Sequence, residues 1–135
     1  MPRVAEARDT VRAITADDLS TLARLGLDQA ITLRAIATQM GWLIERYGKP
    51  HAACAARFVE GAVFIDCLVG DREGQQLLID HVVAYGRWSD APAILLAETP
   101  ATGPLVDKGF VGLAEDAFAI LADIDNPSRL RLRRL

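Results

Sequence analysis

Seven residues, Gly70-Asp-Arg-Glu-Gly-Gln-Gln76, stand between an apolar run, Val63-Phe-Ile-Asp-Cys-Leu-Val69, and an amphipathic segment starting at Leu77. A glycine-containing turn that opens a helix offers backbone N–H groups and the positive end of the helix dipole. Together these suit an anion such as the phosphates of a cofactor. On that reading Leu68, Val69, Arg72, Gly74, Gln75 and Gln76 are the candidate cofactor-binding residues, with Arg72 and Gly74 at the phosphates. The competing reading is an ordinary strand-to-helix turn with a solvated Arg72.

Other reactive side chains are sparser. Cys54 and Cys67 fall opposite one another if the chain around them is a hairpin. They then make either a cross-strand disulfide or, in a reducing compartment, two buried thiols. His51 and His81 have no second histidine, cysteine or acid at metal-ligand spacing, so no metal site is expected. Arg129, Arg131, Arg133 and Arg134 form a basic stripe. It would touch a phosphate or an acidic partner, or simply protect an edge strand with positive charge. No aromatic residue interleaves it, which argues against nucleic acid.

The elements that must position these groups are legible from periodicity. Residues 1–10 read as a flexible arm, and residues 11–135 as a single domain without repeats or linker. Val11 to Ile14 is a strand, Thr15 caps a helix, and Leu19, Leu22, Ala23 and Leu25 form its stripe up to Gly26. Ile31, Leu33, Ile36, Ala37, Met40, Leu43, Ile44 and Tyr47 fit a helical period, so a second helix is predicted from Asp28 to Tyr47. Gly41 weakens it, and Gly48 and Pro50 end it. Trp42, Leu43 and Ile44 spread over more than one face of that helix, marking it as a candidate partner or homodimer surface. His51 to Val69 reads as a hairpin turning at Glu60-Gly61. Its register sets Val59 against Ala62, Phe58 against Val63, Ala56 against Ile65 and Cys54 against Cys67. A third helix spans about Gly74 to Tyr85, with Leu78, Val82 and Tyr85 on one stripe. Ala93 to Ala97 is a buried strand. Thr99 to Lys108 holds at most a short helix, Phe118 to Ile124 is a strand, Asp125 to Ser128 a turn, and Arg129 to Leu135 a half-exposed final strand.

Bulk properties narrow the function classes. Hydrophobic residues make up 51% of the 135-residue chain and charged residues 24%, a globular profile. A net charge of −3 gives no drive toward nucleic acid or an anionic membrane. No apolar run approaches the roughly 20 residues of a membrane span. The N-terminus lacks the apolar core of a signal peptide, so a cytoplasmic location is expected.

The element order β-α-α-β-β-α-β-α-β-β, on a mixed α/β sheet, resembles that of the GNAT superfamily of N-acetyltransferases. Val11-Arg-Ala-Ile-Thr-Ala-Asp-Asp-Leu19 is similar to that family's opening strand and helix start. Ile65-Asp-Cys-Leu-Val69 resembles its fourth strand, Leu77-Leu78 the paired leucines of its cofactor helix, and Asp107-Lys-Gly-Phe110 the approach to a later strand. The resemblance implies acetyl-CoA or coenzyme A in the splay between Val63–Val69 and Ala93–Ala97. It implies direct acyl transfer to a small-molecule or peptide amine, with strand N–H groups polarising the carbonyl. The family's Arg/Gln-x-x-Gly-x-Gly/Ala loop is represented by Arg72, Gly74, Gln75 and Gln76. This loop is shorter than the pattern and has a glutamine at the second small position. Asp66 stands where some relatives carry a carboxylate base, which would need a raised pKa. Otherwise it is a strand residue opposite Ala55 with Arg57 nearby. Glu98 ends the buried strand at the expected substrate cleft, or is a surface acid. Leu105 replaces the tyrosine often used as general acid, and one early hairpin strand is absent from this reading. A second function class is therefore a GNAT-fold domain without catalysis, acting as a binding or structural module.

Overall fold

The computed structural model describes residues 9–97, 111–112 and 130–135. In chain order it contains β1 (Asp9–Ala13), a short 3-10 turn (Ala16–Asp18), α1 (Leu19–Leu25), α2 (Gln29–Thr38), β2 (Gly41–Arg46), β3 (Lys49–Val59) and β4 (Ala62–Gly70). There follow α3 (Arg72–Trp88), β5 (Ala93–Ala97), β6 (Val111–Gly112) and β7 (Leu130–Arg134). The strands form one sheet in the order β1-β2-β3-β4-β5-β7-β6. All neighbours are antiparallel except β4 and β5, which are joined through the α3 crossover and run parallel. The mixed α/β class is as the sequence predicts.

Side-chain alternation sends successive strand residues to opposite faces, and two cores result. One face packs Trp42, Ile44, Cys54, Ala56, Val63, Ile65, Leu68 and Ile94 under Leu78, Ile79 and Val82 of α3. The other packs Leu43, Ala53 and Ala55 against Leu22 of α1, Ala35 of α2 and Leu27 between them. Alanines dominate β3 because helices approach it from both sides.

The structure corrects the sequence reading at several places. The helix predicted from Asp28 to Tyr47 ends at Thr38, where Gln39 turns left-handed at φ 60° and donates back to Ala35 and Ile36. Gly41 to Arg46 is then β2. Its Trp42, Leu43 and Ile44 are buried on both faces of the sheet, so they offer no partner or dimer surface. A run apolar on consecutive positions is what a strand covered on both faces requires. This strand also supplies the hairpin strand missing from the sequence reading. β1 begins at Asp9, inside the expected arm, and Arg46 of β2 holds Asp9 at 2.8 and 3.0 Å.

The hairpin register holds from Val59↔Ala62 to Ala56↔Ile65, then shifts at a bulge between Ala55 and Ala56. Asp66 is the extra residue, so Cys67 pairs with Ala55 and Cys54 with Leu68. One inserted residue reverses the facing of everything beyond it. The two cysteines therefore lie in opposite cores as free thiols. The basic stripe runs along β7, which lies between β5 and β6 and is not an edge. α3 is longer than predicted at both ends. The features assigned to Glu98, to 99–110 and to 113–129 fall outside the described residues.

Candidate functional site

The parallel β4–β5 ladder is short. Among the described residues it joins Val63 to Ile94, Phe64 to Leu95 and Ile65 to Leu96. The next residue of β4 is Asp66, the bulge, and a bulged strand bends and twists away from its neighbour. β4 then continues to Gly70, paired only with β3 among the described strands. The described structure thus leaves the β5 side of Cys67–Gly70 as an open strand edge. Leu68 faces the α3 core and Val69 the α1/α2 core, on either side of that edge.

At the end of the edge a single residue, Asp71, joins β4 to α3. Gly70 has φ 107°, and a Cβ there would overlap the His51 carbonyl and Ala52. Asp71 donates its backbone N–H to the His51 carbonyl oxygen at 3.1 Å. Its carboxylate caps the helix, accepting the Gly74 N–H at 2.7 Å. Gly74 is buried because its missing side chain makes room for Ala52, whose Cβ would lie 2.6 Å from an added Cβ. Gln75 is only 2% exposed. It donates Nε2 to the Gly70 carbonyl at 2.8 Å, while its Oε1 is buried without a hydrogen-bond partner. Arg72 and Glu73 are exposed in the first turn, with Glu73 3.8 Å from Arg46. Gln76 is half-buried. The fold thus gathers Leu68, Val69, Arg72, Gly74, Gln75 and Gln76 at one corner, and adds Asp71.

Asp66 is drawn toward the other helical layer. Its Oδ2 accepts from Arg34 of α2 at 2.8 Å and its Oδ1 from Arg57 of β3 at 2.9 Å. Arg57 also lies over the Phe64 ring, 5.2 Å from its centre. A carboxylate with both oxygens bound to guanidinium groups ties three elements together at the bulge. This geometry favours an anchor over a base poised to take a proton.

The remaining titratable groups are structural. Burial pushes the Cys54 thiol up to about 12 and raises that of Cys67, so neither is a ready thiolate. His81 meets Trp42 edge-on at 5.2 Å, and burial lowers its pKa. Asp18 takes a bidentate pair from Arg12 at 2.8 and 2.7 Å and the Thr15 N–H at 2.8 Å, fixing β1 to the start of α1. Hydrogen bonding to Arg12 lowers the Asp18 pKa. Among the described residues no group of histidines, cysteines and acids could hold a metal, and no helix is long and apolar enough to cross a membrane.

Sequence reasoning missed one residue of this corner, Asp71, and one at the bulge, Arg34. Asp71 carried a signal, since an aspartate just before a helical stripe is a strong N-cap. Arg34 carried none, because only the fold brings α2 over the bulge.

No protein-family model matches the chain, and no curated protein matches it in sequence. Solved structures do match. N-acetylglutamate synthase from Neisseria gonorrhoeae, solved with coenzyme A and L-arginine, aligns with a TM-score of 0.78 at 18% identity, over 96% of this chain and 34% of that one. The chain therefore spans about a third of that enzyme's length. A GNAT-family acetyltransferase from Staphylococcus aureus aligns at 0.74 and 14% identity, over 95% of this chain and 99% of its own. A GNAT-family acetyltransferase from Brucella melitensis in complex with acetyl-CoA aligns at 0.67 and 12%, over 96% and 90%. At these identities the likeness is one of fold.

Proposed function

Since this chain has the GNAT fold, we propose that it is an acyl-CoA-dependent N-acyltransferase whose donor lies along the open edge of β4. The observation that carries this reading is that, among the described residues, the β4–β5 ladder ends before the Asp66 bulge while β4 runs on to Gly70. An extended ligand bearing amides, such as the pantetheine arm of coenzyme A, can use such an edge as an added strand would. Neighbours of this fold solved with coenzyme A or acetyl-CoA support the donor class.

When bound, the thioester supplies an activated acyl group. The chain's own contribution is geometric. Backbone N–H groups of Cys67–Gly70 orient the arm and meet the carbonyl oxygen where negative charge develops. The rigid sheet fixes the angle from which a small-molecule or peptide amine attacks, and such positioning supplies much of the rate. As the C–N bond forms and the C–S bond breaks, the departing thiolate takes up the proton the amine loses, relayed through water because Asp66 is in ion pairs. A cytoplasmic, reducing setting fits the two thiols held in separate cores.

Titration with acetyl-CoA, read by thermal shift and by hydrogen exchange, tests the reading. Ligand at 100 times its dissociation constant stabilises by about 2.7 kcal/mol. The amides of Cys67–Gly70 are expected to slow most. Absence of any shift at millimolar acetyl-CoA, or protection confined to another strand, refutes it. Binding with protection but no transfer to any amine instead supports the second reading, a binding module, which the ion-paired state of Asp66 favours.

A further inference from the structure

We infer that this chain grips its thioester donor through the pantetheine arm and gains little from the nucleotide end, so that a pantetheine thioester serves it nearly as well as coenzyme A. The inference rests on the donor reading above. A pyrophosphate bound at the start of a helix needs free first-turn N–H groups, positive potential and a loop with room to wrap it. The corner at Gly70–Gln76 offers none of these in full.

The Asp71 carboxylate already holds the Gly74 N–H at 2.7 Å, taking a donor that a phosphate would use. Glu73 adds a second acid to the same turn, so the helix dipole is met by the chain's own carboxylates. Against these two negative charges the turn itself sets only Arg72. The nearby Arg46 is engaged with Asp9 at 2.8 and 3.0 Å and stands 3.8 Å from Glu73, and His51 stands 3.6 Å from Asp71.

The connection has no slack either. One residue joins β4 to α3, and the spaces beside Gly70 and Gly74 are filled by His51 and Ala52 of β3. Neither glycine is left to admit a phosphate. The unsatisfied group at this corner is an acceptor, the buried Oε1 of Gln75, whose amide is tied to the Gly70 carbonyl at the end of the open edge. A lone acceptor matches an amide N–H of the arm and repels phosphate oxygens.

The test is calorimetric titration of the full chain with acetyl-CoA, S-acetylpantetheine and adenosine 3′,5′-bisphosphate, repeated on Asp71→Ser and Asp71→Asn. Both substitutions keep a capping acceptor and remove the charge, so one serves if the other does not fold. The expected result is that the two thioesters bind within about threefold of one another and the bisphosphate not detectably. Removing the charge then tightens acetyl-CoA by about tenfold and leaves S-acetylpantetheine unchanged. Acetyl-CoA binding about thirtyfold or more tighter than S-acetylpantetheine in the natural chain overturns the inference while leaving the donor reading intact. Binding of neither thioester overturns the donor reading itself, and this inference with it.

Discussion

Replacing Asp66 with asparagine separates an anchor from a base. The carboxylate is 8% exposed and makes two charge-assisted bonds, to Arg34 at 2.8 Å and Arg57 at 2.9 Å. The Arg34 side chain is 46% exposed, so solvent screening reduces its bond to the bottom of the surface range. The Arg57 side chain is 32% exposed and packed over Phe64, and its bond is worth more. Together the two bonds contribute about 1–2 kcal/mol. An unfolding entropy near 2.1 cal/mol/K per residue gives about 0.28 kcal/mol/K for 135 residues, so Asp66→Asn should lower Tm by roughly 4–7 °C. Differential scanning calorimetry reads this directly. In a double-mutant cycle, Arg34→Met should show a coupling of only about 0.3–0.5 kcal/mol with Asp66→Asn. Acyl transfer measured well below Tm should keep its pH profile. A variant with unchanged Tm whose transfer rate falls about a hundredfold, with loss of the acidic limb of the profile, would show a working base and refute the anchor.

Three further outcomes follow from the same packing. Gly70→Ala should lose about 2 kcal/mol or more in urea unfolding, because φ 107° and the overlap with His51 and Ala52 both oppose a side chain; an unchanged midpoint would mean the β4–α3 joint is looser than described. Burial holds His81 below 6.5, so the folded state refuses a proton that the unfolded chain accepts. Its contribution to stability is whole above pH 6.5 and is lost as the pH falls below 6.5 through the folded-state value. His81→Gln should flatten that part of the stability curve, and an unaltered slope contradicts the assignment. Cys54, fully buried with its thiol pushed up to about 12, should label with a thiol reagent only on unfolding, after the partly exposed Cys67; simultaneous native-state labelling of both would refute it.

Where the chain's local preferences and its tertiary environment agree, the sequence was readable. The turn at Glu60-Gly61 and the first four hairpin pairs follow from alternation alone. The β4–α3–β5 crossover follows from an apolar run, a helical stripe and a second apolar run. The reading failed where one residue changed the count. Gln39 ends α2 in a left-handed conformation without glycine, and in sequence the stripe runs on because Leu43 and Ile44 of β2 fall on its period. The bulge at Asp66 has no turn residue to announce it. Its stabilising partner, Arg34, is 32 positions away in sequence. The elements that frame the candidate corner were legible, because strand end, glycine and helix start are local signals. Its electrostatic character was not, because the cap formed by Asp71 was overlooked beside the more conspicuous Arg72 and Gly74.

The bulge also divides the order in which the sheet can assemble. On its turn side, β3 and β4 meet through contacts closed by a few residues of chain, from Val59↔Ala62 to Ala56↔Ile65. Such a hairpin forms on a microsecond scale without help. On its far side, Ala55↔Cys67 to Ala52↔Gly70 must close a longer loop across a broken ladder. That half gains its support from α1 and α2 on one face and α3 on the other. Loop length therefore favours two strokes along a single pair of strands, the turn-side half first, with Asp66 at the boundary. The segment proposed to hold the donor belongs to the later stroke, so it is the part of β4 whose amides should open first in the native protein while the turn-side half stays closed.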